Sequence, residues 1–219
     1  MSNEGLLLGF DARPPKPREW EESRKRRCLF RLDVAPLSID PMVWPSVFEA
    51  NGIETPAWTG RFGGLWEDLA TLRDFVAAER EGLGDVCLVA FDRTLAGSSP
   101  AARLALETLI RGIYPYGTPG ELPDAIADPA AVEPGWTFLG YDVSDLWGLS
   151  GLMNAGFLPD REDVDALRDR WGPKLNSAHL FNALDDARAF RDYADGHIPE
   201  HAPFYVDGLW LIEGSLHPA

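Results

Sequence analysis

Val86-Cys87-Leu88-Val89-Ala90-Phe91 is an uninterrupted apolar run bounded by Asp85 and Asp92. A run of this length fits a strand covered on both faces, because side chains pointing either way are apolar. On its N-terminal side Leu65, Leu69, Leu72 and Val76 recur at helical spacing and predict a helix that ends near Gly82. On its C-terminal side Ser98-Ser99-Pro100 predicts a helix start, with Ser99 as N-cap and Pro100 in the first turn. A covered strand between two helices requires a sheet with helices packed on it.

Further strands follow by pattern. Cys28, Phe30, Leu32 and Val34 alternate with Leu29, Arg31 and Asp33, as in a half-buried strand. Trp136 to Val143 predicts another, and the last runs from about Phe204 to Ile212. Helices are predicted from Asp160 to Trp171, closed by Gly172-Pro173, and from about Asn182 to Ala194 with Leu184, Ala187 and Phe190 inward. Residues 114–135 hold five prolines and read as a long irregular excursion. The connections are irregular, which predicts one α+β domain over residues 28–219, built on a mixed β-sheet of about four or more strands flanked by helices. Residues 1–27, with their charge block and prolines, read as a basic N-terminal arm.

Charge is the most unusual property of the chain. Lys and Arg number 20 against 35 Asp and Glu, a net −15. Residues 1–27 carry seven bases and five acids, so the remaining 13 bases and 30 acids leave the body at −17. Such a surface repels phosphate backbones and anionic lipids, which argues against nucleic acid and membrane and favours a basic protein partner. The four-residue apolar run Leu6–Gly9 follows an acid and makes no secretory signal, and no stretch of eighteen apolar residues could span a bilayer. The expected location is the cytoplasm. Arg outnumbers Lys 17 to 3, a bias of GC-rich bacterial coding. Cys28 and Cys87 both fall in strand patterns, where a thiol acts as a small apolar group.

Catalytic motifs fail on inspection. His197-Ile198-Pro199-Glu200-His201 matches H-x-x-E-H, but that zinc chemistry needs both histidines on one helix face, and Pro199 breaks the turn. Asp160-Arg161-Glu162-Asp163-Val164-Asp165 lacks the glycine that a calcium loop needs at its sixth position. No phosphate loop and no G-x-S-x-G elbow is present, and no cofactor is implied. One constellation stays open: Asp33, Asp92 and Asp142 stand near strand ends, and three carboxylates at one sheet edge could hold a divalent ion if their strands ran parallel and side by side.

Aromatics beside carboxylates are the materials of a hot spot facing a basic partner. Tyr141, Asp142, Asp145 and Trp147, together with Asp160, Glu162 and Asp163, make the candidate partner-binding patch. Two stretches, Phe138-Leu139-Gly140-Tyr141-Asp142-Val143-Ser144-Asp145 with Leu149-Ser150-Gly151-Leu152, and His201 to Val206 with Gly208-Leu209-Trp210, resemble segments of uncharacterised bacterial proteins. Some of those are similar to immunity proteins that accompany secreted polymorphic toxins. The resemblance implies a non-enzymatic cytoplasmic protein that neutralises a toxin domain through an acidic surface. The alternative is a divalent-metal-dependent enzyme using Asp33, Asp92 and Asp142.

Overall fold

A computed structural model describes residues 5–13, 52–54, 65–83, 85–113, 133–146, 148, 150–153 and 164–214. Five of the six residues of the apolar run, Cys87 to Phe91, open β2 (Cys87–Thr94), an inner strand. Around it stand β1 (Gly5–Arg13), β3 (Thr137–Ser144) and β4 (Tyr205–Glu213), in the spatial order β1-β2-β4-β3. All three pairings are antiparallel, where a mixed sheet was expected. The α+β class stands.

β1 is the element that composition hides. Leu6, Leu8, Phe10 and Ala12 are buried in it, so part of the expected arm is an edge strand of the sheet. The predicted strand Cys28–Val34 lies outside the described residues.

The helices are α1 (Leu69–Ala78), α2 (Arg80–Leu83), α3 (Pro100–Ile113), α4 (Val164–Trp171) and α5 (Leu184–His197). Side chains of a strand alternate between faces, and β2 distributes them accordingly. Leu88 and Ala90 pack with Leu69 and Leu72 of α1, while Cys87, Val89 and Phe91 pack with Ala102 and Leu106 of α3. Further along the sheet Val143 and Val206 meet Ala187, Phe190 and Ala194 of α5. Trp171, at the end of α4, sets its ring edge-on to Phe190 at 5.1 Å. The cap at α3 forms as its sequence demands, with Ser99 Oγ accepting from Ala102 N at 3.1 Å. Asp68 does the same for α1, accepting from Thr71 N.

Both edge strands carry the same device. On β1 Phe10 exchanges two backbone hydrogen bonds of 2.8 Å with Trp66; on β3 Tyr141 does so with Phe181 at 2.9 and 2.8 Å. Each covering segment approaches beside a bulge that holds a glycine, Gly9 with φ +146° and Gly140 with φ +140°. A Cβ on Gly9 would stand 2.5 Å from Trp66 O, and one on Gly140 2.7 Å from Leu180 Cβ. Only glycine accepts both the dihedral and the approach.

Candidate functional site

Polar groups enter the sheet where its apolar pattern ends. Arg93 follows the apolar run on β2, and Asp207 interrupts the apolar β4; the register sets them opposite each other. Directly opposed residues share a face. Arg93 Nε donates to Asp207 Oδ1 at 2.8 Å and Nη2 to Oδ2 at 3.0 Å, a two-point pair inside the protein. Nη2 also donates to Ser144 Oγ at 3.0 Å and to the Asp145 carbonyl at 3.2 Å. The Ser144 hydroxyl donates to Asp207 Oδ2. The guanidinium lies 4.3 Å over the Tyr205 ring, whose hydroxyl donates to the Ala102 carbonyl at 2.7 Å. Burial pushes that phenol up to about 12 against the opposing pull of Arg93.

The network reaches outward through Asp145 and His201. His201 Nδ1 donates to Asp145 Oδ2 at 3.1 Å; the imidazole is partly open to solvent and the carboxylate is buried. Asp142 forms a second node: its Oδ1 accepts from Ser150 Oγ and from Val143 N, both at 2.7 Å. Desolvation outweighs those bonds and, with the nearby Asp207, lifts the Asp142 carboxyl to about 7.

Asp142 and Asp145 are therefore interior, 5% and 3% exposed, where the patch reading needs them at the surface. They turn inward because Ser150 and His201 provide the hydrogen bonds that a buried carboxylate requires. Tyr141 is half-buried and packs edge-on to Phe138 at 4.8 Å. Trp147, Asp160, Glu162 and Asp163 lie outside the described residues.

The strand-end aspartates are not brought together either. Asp92 pairs with Gly208, which pairs with Tyr141, so Asp92 shares a face with Tyr141 and not with the next residue, Asp142. The two carboxylates leave opposite faces of the sheet, and Asp33 lies outside the described residues. Among the described residues no three His, Cys, Asp or Glu side chains gather in a group that could hold a metal. The H-x-x-E-H histidines part as well. His197 ends α5 and donates from Nδ1 to the Tyr193 carbonyl at 2.8 Å, while His201 belongs to the turn that leads into β4.

Sequence reasoning misses Arg93, Ser144 and Asp207. The available signal was one charge in each of two apolar strands, Arg93 and Asp207, because burial makes such charges seek each other. Among the described residues no helix is long and apolar enough to cross a membrane. No protein-family model matches the chain, and neither a curated protein nor a solved structure matches it.

Proposed function

We propose that the chain is a non-enzymatic cytoplasmic protein that binds a basic protein partner through an acidic surface, acting as an immunity protein that neutralises a bacterial toxin. One observation carries this reading. The interior carboxylates Asp142, Asp145 and Asp207 are each engaged by groups of the protein itself, so they serve the fold and not a substrate. Within a chain of net charge −15, the acids that the described residues leave exposed then act at long range. Asp165 and Asp169 stand exposed on α4, and Asp185 and Asp192 on α5. Asp165 and Asp169 continue, four residues apart, the acidic run of Asp160, Glu162 and Asp163.

Affinity built this way owes much to electrostatic steering, which salt screens. The experiment mixes the full chain with the toxin domain encoded beside its gene and reads toxin activity and calorimetric affinity. Stoichiometric inhibition is expected, with affinity falling about tenfold or more from low to high salt. A toxin that stays fully active under saturating protein, or an affinity indifferent to salt, would falsify the reading.

A further inference from the structure

Between the α1 layer and one margin of the sheet lies a cavity of about 350 Å³, at the small end of the range for sites that take small molecules. One wall comes from Arg73, Val76 and Ala77, spaced to share a stripe of α1, and from Arg80, which opens α2. The other wall is the start of β2 and the end of β4. Val86 and Leu88 alternate with Cys87, whose side chain goes to the α3 layer, so both turn towards α1. Glu213 stands opposite Leu88 at the end of β4. Leu88 is buried and Val76 and Val86 are half-buried, which gives the cavity an apolar floor.

The rim carries two guanidinium groups, Arg73 and Arg80, and two carboxylates, Asp85 and Glu213. In a chain of net charge −15 this balance is local. One pair closes on itself: Arg73 Nε donates to Glu213 Oε1 at 2.6 Å and ties α1 to β4. The other two groups stay open. Arg80 and Asp85 line the same space, yet among the described residues neither side chain has an ion pair or a hydrogen bond. Their backbones are close, because Arg80–Leu83 is one helical turn of about 5 Å and two further residues reach Asp85 within about 7 Å more. Opposite charges that share a cavity without meeting leave room for a ligand that bridges them.

The structure assigns this cavity to a free α-amino acid with an apolar side chain, its carboxylate on Arg80, its ammonium on Asp85 and its side chain against Val76, Val86 and Leu88. Charge balance selects the class. With Arg73 and Glu213 neutralising each other, one positive and one negative group remain, so a simple anion is opposed by Asp85 and a simple cation by Arg80. An α-amino acid carries both charges on one carbon and is neutral overall. The planar guanidinium takes its carboxylate through two parallel N–H bonds, and the carboxylate of Asp85 accepts from its ammonium. None of these residues belongs to the exposed acids of α4 and α5, and the assignment does not rest on the reading of the chain as an immunity protein.

The test titrates L-leucine into the 15N-labelled full chain and follows the backbone amide resonances of Ala77 and Gly214, which line the cavity. A saturable shift in the millimolar range is expected. N-acetyl-leucine, which lacks the ammonium, and leucinamide, which lacks the carboxylate, should each bind about tenfold more weakly. Glycine, without the apolar side chain, should also bind about tenfold more weakly. Arg80→Gln and Asp85→Asn change exposed side chains, so both variants should unfold as cooperatively as the parent. Each should bind L-leucine about tenfold more weakly. Arg80→Gln should in addition no longer prefer leucine to leucinamide, and Asp85→Asn should no longer prefer leucine to N-acetyl-leucine. Resonances that ignore L-leucine throughout the titration, equal binding of all the probes, or binding unchanged in either variant would overturn the assignment. So would N-acetyl-leucine bound more tightly than L-leucine, which would make the cavity a site for simple carboxylates.

Discussion

Arg93 and Asp207 face each other across β2 and β4 with two hydrogen bonds of 2.8 and 3.0 Å, and neither side chain is more than 2% exposed. Removing one partner strands a charge without solvent. Arg93→Ala or Asp207→Ala should each cost about 3–5 kcal/mol, read as a lower urea midpoint at unchanged slope. The double variant should cost clearly less than the two single losses combined, because no lone charge remains. Additive losses in that cycle would mean that the pair is not coupled.

Asp142 makes stability depend on pH in an unusual direction. Its carboxyl titrates at about 7 in the fold against 3.8 in the unfolded chain, so between those values the folded state holds the extra proton. The contribution is fully present below about pH 4 and is lost as pH rises through 7. Asp92, raised to about 6, acts with the same sign. Asp142→Asn should flatten the profile and be more stable than the parent at pH 8, by on the order of a few kcal/mol. Melting curves from pH 5 to 8 check it, and parallel profiles for the two proteins would contradict the assignment.

Gly9 and Gly140 tolerate no side chain. Alanine at either position meets a positive φ and a contact below 3 Å, and each should cost on the order of 1–3 kcal/mol from backbone strain alone. Gly208→Ala, whose Cβ finds only contacts of 3.5 Å and beyond, should be nearly neutral. Equal losses at all three glycines, by chemical denaturation, would defeat this explanation.

Cys87 is fully buried in β2, and desolvation lifts its thiol to about 11. In a Cys28→Ser background it should resist a thiol reagent at pH 8 until the chain unfolds. Modification in native buffer at the rate of a free thiol would place it elsewhere.

How much of this was legible depends on the element. β2, β3 and β4 announced themselves because their apolar runs are bounded by charge or proline, and Ser99-Pro100 marked α3 to the residue. β1 was obscured because Leu6-Leu7-Leu8 is short and its second half, Asp11 and Arg13, is charged. There the two side chains pair with each other at 2.8 Å and so can be buried. After β3 the described residues hold a short 3-10 turn, Gly151–Met153, and the Ser144 hydroxyl is spent on Asp207. Asp142 and Asp145 misled for a related reason: a carboxylate in sequence looks like surface charge, and only its partners in space, Ser150 and His201, show it to be interior.

The backbone bonds that Phe10 gives to Trp66 and Tyr141 to Phe181 occupy the outward ladder at both margins of the sheet. At those positions a strand offered by a second molecule finds no partner, so growth into stacked sheets is blocked where it would start. It also means that, at those positions, the partner recognition proposed above would be written in side chains, and so could be rewritten by substitution without disturbing the sheet.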